Sequence, residues 1–235
     1  ALFDTLRTDP ACVAQCPSGL AFDRSPDVAL DSLERQGLLS RQSYAAQSLL
    51  LELEPHSWPQ PIWDACAGHG GKTCLLLEQG LPGLWASDLS PGKLLGLKRE
   101  LDRLHLPHIP AFCANAAQAP PLNRSPGTIL LDVPCSGLGV LSRRPDSKWK
   151  RHPQDVERLI KVQAEMLEQG LNALAPGGCL IYVTCTLNPG ENEKQVQGLL
   201  GRHKGGVSLL DMRQTDRRSG FREFFFAAKV LKKGA

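Results

Sequence analysis

The sequence predicts a doubly wound α/β fold, a mostly parallel sheet with helices on both faces. Three observations predict it. From Ser40 onward, short apolar runs alternate with helix-patterned segments, and such alternation favours parallel strands joined by helical crossovers. The first apolar run passes through a glycine-rich turn into a helix. Apolar runs also end in acids, at Asp64, Asp88 and Asp132.

Residues 1–36 read as an irregular N-terminal segment, with Pro10, Pro17 and Pro26 and mixed polarity. They are expected to be the tail of an upstream small domain, with residues 37–235 as the main domain. The chain begins Ala-Leu-Phe-Asp-Thr, without an initiator Met, as a fragment would. Residues 42–51 have helical spacing and stop before Pro55. Residues 61–66 form a buried strand, 73–78 a helix, and 83–88 a second strand. Ser90-Pro91 reads as an N-cap with proline at the first helical position, opening a helix to about Leu104. Strands follow near 109–113, 128–132 and 179–184. A long helix covers roughly 153–174 and stops at Pro176-Gly177-Gly178. A helix starts near Glu191, and the last strands lie near 207–210 and 223–230.

Composition excludes several classes. With 42% hydrophobic and 22% charged residues, the chain is globular, not disordered. It carries no bilayer-length apolar run and no signal peptide. Its eight cysteines sit mostly within apolar runs or short motifs, as in a reduced cytoplasmic protein. Cys12 and Cys16 lack a second ligand pair nearby, so no metal site is expected. The net charge of +3 does not by itself point to nucleic acid.

In sheets of this kind, ligands bind beyond the carboxyl ends of the strands. The turn Asp64-Ala65-Cys66-Ala67-Gly68-His69-Gly70-Gly71-Lys72-Thr73 lies there. A phosphate-binding P-loop needs glycine where Cys66 stands, and a dinucleotide fingerprint needs glycine where Thr73 stands. Both fail, leaving either a glycine loop that lets a ligand approach the backbone or a plain tight turn. Asp88, at the end of the second strand, suits both hydroxyls of a ribose, or a helix cap. Asn115, after the third, suits an adenine edge, or a loop.

The sharpest signal is paired. Leu130-Leu131-Asp132-Val133-Pro134-Cys135-Ser136-Gly137 ends one apolar strand, and Ile181-Tyr182-Val183-Thr184-Cys185-Thr186 ends the next. Two thiols therefore meet in one crevice. A disulfide or two inert buried thiols are the alternatives; a catalytic cysteine beside an acid accounts for more of the pattern.

On these residues the chain resembles the Sun/NOP family of RNA cytosine-5 methyltransferases, most nearly its bacterial small-subunit rRNA branch. The likeness rests on DACAGHGGKT, ASD, LLDVPCSGLGVLSRRPDSKWKR and YVTCTLNPGENE, with GLLSRQSYAAQ as an entry segment, and spans about residues 37–230. It implies a Rossmann-like class I fold with a seven-stranded sheet, S-adenosyl-L-methionine (SAM) as cofactor, and RNA, most nearly rRNA, as partner. A monomer without membrane attachment is expected. By the same resemblance Cys185 is the nucleophile, Cys135 assists product release, and Asp132 contacts the base. Cys66, Ala67, Gly68, His69, Gly70, Gly71 and Lys72 line the cofactor site with Asp132, Asp88 holds the ribose, and Asn115 faces the adenine. The family's loop usually reads Ala-Pro-Gly-Gly-Lys and its adenine-side residue is usually Asp, so His69 and Asn115 are departures. They motivate an alternative, a catalytically weak RNA-binding or ribosome-assembly module. A nitrogen methyltransferase fits less well, since Pro-Cys-Ser replaces the Pro-Pro-aromatic motif common in such enzymes.

Lys72 either orients Asp132 or lowers a thiol pKa, or else caps a helix or pairs on the surface. Glu191 and Glu193 are read as mainly structural, favoured by the dipole at a helix start. Arg143, Arg144, Lys148, Lys150 and Arg151 cluster around Trp149 just after the Pro-Cys motif. Of these, Arg143, Arg144, Lys148, Trp149 and Arg151 are the expected RNA-binding residues, offering phosphate contacts and a stacking surface. A second basic run, Arg213 to Arg222, reads as a solvated loop.

Overall fold

In the computed structural model, which describes residues 2–16, 19–26, 28–150, 152–215 and 222–234, the first forty residues are more regular than their sequence suggests. They form α1 (Leu2–Arg7), a hairpin of β1 (Cys12–Cys16) and β2 (Gly19–Phe22), and α2 (Leu30–Arg35). The expectation of an irregular segment is corrected here. A two-stranded hairpin this short is marginal alone, and contacts remote in sequence hold it. Tyr44 Oη donates to the Gln15 carbonyl at 2.7 Å, while Arg103 Nη1, donating to the Leu39 carbonyl at 2.9 Å, holds the segment after α2.

The alternating region follows. α3 (Tyr44–Glu52) is capped by Ser43, whose Oγ accepts the Ala46 N–H at 3.1 Å. Then come β3 (Ile62–Asp64), α4 (Gly71–Glu78), β4 (Leu84–Asp88), α5 (Pro91–Arg103), β5 (Ala111–Cys113) and β6 (Thr128–Asp132). After α6 (Ser147–Lys150) and α7 (Pro153–Ala173) run β7 (Cys179–Thr184), α8 (Glu193–Arg202), β8 (Val207–Gln214) and β9 (Phe226–Lys232).

Among the described residues, seven strands form the main sheet in the order β5-β4-β3-β6-β7-β9-β8. Its first five members are parallel, and β9 runs antiparallel to both β7 and β8. This is the mostly parallel, doubly wound sheet that the sequence predicts. The chain moves outward from β3 through β4 to β5, then returns to β6 on the other side. The switch point lies between β3 and β6, which puts the crevice beyond Asp64 and Asp132.

Alternate residues of β6 serve different cores. Ile129 and Leu131 pack with Trp63, Leu167, Leu171, Leu180, Tyr182 and Phe226. Leu130 packs on the other face with Leu49, Leu50, Leu75, Leu76, Ile181 and Val183. Helix α7 buries Gln163, Met166, Leu167, Gly170 and Leu171, a three- and four-residue spacing that makes one stripe. Burying Leu167 and Leu171 contributes about 1.5–3 kcal/mol each. Two buried indole N–H groups find acceptors: Trp63 donates to Ser87 Oγ at 3.0 Å and Trp58 to the Leu53 carbonyl at 2.8 Å.

Some boundaries differ from those predicted. β5 starts after Pro110, which has no N–H for the ladder. Ser90 precedes α5, but its hydroxyl makes no capping bond; its N–H donates to Asp88 Oδ1 at 2.8 Å. α8 starts at Glu193, two residues after Glu191. β9 starts at Phe226, because the Phe224 N–H is drawn away to the Gly139 carbonyl at 2.7 Å.

Candidate active site

β6 and β7 are adjacent and parallel, with Asp132 opposite Val183. Equal ends place the two cysteine loops side by side. Cys135 Sγ lies 3.3 Å from Cys185 Sγ, and both are free thiols. The Cys185 N–H also donates to Cys135 Sγ at 3.3 Å. The pair behaves asymmetrically. The Cys135 hydrogen bond lowers the Cys185 pKa against its burial, with Lys72 and Arg144 acting in the same direction and Asp132 opposing. The same hydrogen bond, with burial, pushes Cys135 well up. Cys185 is thus the member disposed to carry the negative charge, and Cys135 the member that keeps its proton.

Lys72, on α4, donates from Nζ to Asp132 Oδ2 at 2.5 Å. Burial works against the lysine's charge, but Asp132 and Asp64 outweigh it and its pKa rises. Lys72 is therefore a fixed ammonium between the glycine loop and the cysteine loops. Asp64 is buried behind it. Burial raises its carboxyl to about 6, although Thr73 Oγ1 donates to it at 2.6 Å. Burial likewise pushes the Cys66 thiol well above its ordinary value.

The glycine loop and Asp88 are built as one unit. Gly68 (φ 59°) and Gly70 (φ 97°) take left-handed backbone, which glycine adopts without strain. The Gly68 N–H donates to Asp88 Oδ2 at 3.0 Å, and Lys93 Nζ stands 3.4 Å from the same oxygen. A Cβ on Gly68 would meet nothing within 4 Å. Open space over backbone, beside a held carboxylate, suits a nucleoside whose ribose reaches Asp88. His69 lies against α5: an ideal Cβ on Gly96 would fall 2.3 Å from His69 Nδ1, so glycine there makes room for the ring. Asn115 Oδ1 accepts the Ala117 N–H at 3.0 Å, which shapes the turn after β5.

The expected RNA-binding residues are mostly exposed but not equivalent. Trp149 is 80% exposed, with Lys148 Nζ 5.4 Å from its ring centroid. Arg144 is exposed, and its charge helps to lower the Cys185 pKa. Arg143 instead pairs with Glu223, which also takes the Ser43 hydroxyl. Arg151 lies outside the described residues. So do residues 216–221 of the second basic run, whose Arg213 pairs with Asp211.

Two features were not legible as part of the site. Glu191 is fully buried beneath the cysteine loops, with its carboxylate accepting from Ser136. A six-residue interval from Cys185 to Glu191, too short for an independent element, was the available signal. Gly139 is the second. Its N–H donates to the Cys185 carbonyl at 3.0 Å, and an added Cβ would lie 2.2 Å from the Phe224 carbonyl oxygen and 2.9 Å from that of Cys185. Gly139→Ala must move backbone on both sides. It is expected to destabilise the fold by about 2–3 kcal/mol, read as a lower denaturation midpoint at unchanged slope.

Known proteins share this architecture. The family profile described as 16S rRNA methyltransferase RsmB/F matches residues 48–224. Ribosomal RNA small subunit methyltransferase B of Pseudomonas putida is 36% identical over 216 residues, covering 84% of this chain and 48% of the relative. The protein of the same name from Shewanella oneidensis is 40% identical over 182 residues, covering 75% of this chain and 41% of the relative. The chain thus spans about half the length of the curated relatives it matches. Among solved structures, a methyltransferase homologue from Pyrococcus horikoshii superposes with a TM-score of 0.81 at 25% identity, covering 98% of this chain and 81% of that one. NSun6 from the same organism, solved with SFG, gives 0.78 at 24% identity over 92% of this chain and 60% of that one.

Proposed function

Since the chain belongs to the RsmB/F family of 16S rRNA methyltransferases, we propose that it methylates carbon 5 of a cytosine in small-subunit rRNA through a covalent adduct at Cys185. The observation that carries this reading is the thiol pair 3.3 Å apart, with the Lys72–Asp132 ion pair between it and the glycine loop.

The loop from Cys66 to Lys72 and the carboxylate of Asp88 fit SAM, whose analogue SFG accompanies the NSun6 structure. When bound, SAM supplies an electrophilic methyl group. Gly68 and Gly70 give the ligand access to backbone, and Asp88 accepts ribose hydroxyls.

The remaining chemistry belongs to the side chains. Carbon 5 of cytosine is weakly nucleophilic, and sulfur addition at carbon 6 changes that. The Cys185 thiolate forms the S–C6 bond while the C5=C6 electron pair is displaced toward N3. The Lys72 ammonium, held by Asp132, supplies the positive charge that stabilises the developing negative charge, and the Asp132 carboxylate contacts the base by accepting from its exocyclic amine. Carbon 5 is then electron-rich and forms its new carbon–carbon bond. Loss of the C5 proton next returns an electron pair to the ring, C5=C6 re-forms, and the Cys185 thiolate is expelled. Water takes the C5 proton, and Cys135, which retains its own, donates it to the departing Cys185 sulfur. The target base must be unstacked to reach the crevice. Arg144, Lys148 and Trp149 supply phosphate contact and a stacking face at its mouth.

The test is transfer of labelled methyl groups from SAM to small-subunit rRNA, mapped by bisulfite sequencing. A protected cytosine appearing only with the protein is the expected result. Transfer to a nitrogen, or RNA binding without measurable SAM binding, would point to the alternatives.

A further inference from the structure

We propose that Glu191 is a positioning residue that sets the separation of the two thiols and so governs release of the covalent product. The inference rests on the roles given above to Cys185 and Cys135.

The side chain is fully buried, and both carboxylate oxygens face donors from the two cysteine loops. Oε1 accepts the Ser136 N–H at 2.8 Å and the Gln163 amide at 3.0 Å. Oε2 accepts the Ser136 hydroxyl at 2.6 Å, with Thr186 Oγ1 and Asn188 Nδ2 each at 3.3 Å. Ser136 follows Cys135 directly and Thr186 follows Cys185, and their hydroxyl oxygens are 2.6 Å apart. One carboxylate therefore grips the residue next to each sulfur. Gln163, from α7, also donates to the Pro134 carbonyl at 2.9 Å, so the Cys135 loop is held on both sides of its cysteine. The Glu191 backbone is fixed too, as its carbonyl accepts the Tyr182 hydroxyl at 2.7 Å.

The chemistry of the cluster selects a carboxylate. Donors converge on both oxygens, and an ionised carboxylate accepts at each. Glutamine has nearly the same shape but would point an NH2 at one group of donors. A buried charge is costly unless its donors are all in place, so the two loops are locked to the geometry that satisfies it. Without the clamp, Cys185 retains its place at the end of β7, where the Gly139 N–H and the strand ladder hold it. Cys135 has fewer supports and is the sulfur that drifts. Adduct formation should therefore survive, and adduct breakdown should suffer.

The experiment compares wild type with Glu191→Gln by two readouts. The first is disulfide formation between Cys135 and Cys185 driven by diamide, which takes the two thiol hydrogens and becomes a hydrazine. The second is accumulation of protein–RNA adduct on ordinary cytosine RNA, measured with KM for the RNA. A misplacement near 1 Å should slow disulfide closure by about tenfold or more. Adduct should accumulate while KM stays within about twofold, a split that a general loss of structure does not produce. A wild-type rate of disulfide closure overturns the proposal, as does an equal loss of adduct formation and breakdown. If Glu191→Gln does not fold, Ser136→Ala decides. It keeps the carboxylate and the N–H contact, and closure at the wild-type rate in that variant overturns the proposal. If wild-type protein forms no adduct with 5-fluorocytosine RNA, the methyltransferase reading fails, while the diamide rate still judges the clamp.

Discussion

Cys185→Ala is expected to abolish methyl transfer and, with it, every covalent protein–RNA species. The variant loses the only step that activates carbon 5, so the rate should fall at least about 10³-fold. With RNA carrying 5-fluorocytosine, the wild-type adduct cannot lose its C5 substituent and persists through denaturing electrophoresis. The alanine variant should give no shifted band. The fold should be unaffected, because the thiol is only partly buried and its loop is held by backbone bonds from Gly139. A Cys185→Ala protein that still transfers methyl groups at the wild-type rate would move the nucleophile elsewhere.

Cys135→Ala is expected to do the opposite to the adduct. Addition at carbon 6 should proceed, while turnover falls about 10²–10³-fold because release loses its proton carrier. The adduct should accumulate on ordinary cytosine, which wild-type protein releases. The variant also removes the hydrogen bond that most strongly lowers the Cys185 pKa. The pH profile of Cys185 alkylation should therefore move upward, with less thiolate at a given pH below the new midpoint. Loss of adduct in both cysteine variants alike would show that the two sulfurs do not divide the work.

The central strands and the crevice were legible because central parallel strands are apolar on both faces and several end in acids. Residues 128–132 and 179–184 therefore announced themselves, and with them the meeting of Cys135 and Cys185. The N-terminal hairpin was not legible, since its strands are short and held by Tyr44 from afar. Glu191 reads as mainly structural in the sequence, but the groups it holds were not legible there. A carboxylate near a helix start looks like a dipole partner, and nothing local reveals five donors brought from α7 and two loops. Arg143 has a similar history: its charge suggested phosphate, and its partner Glu223 lies eighty residues on.

The Gly139 backbone links the Cys185 carbonyl on one side to the Phe224 N–H on the other, at 3.0 and 2.7 Å. The loop that carries Cys185 is thus tethered to the approach to β9, although neither Gly139 nor Phe224 offers a reacting group. A disturbance around Phe224 therefore reaches the thiol pair through backbone alone.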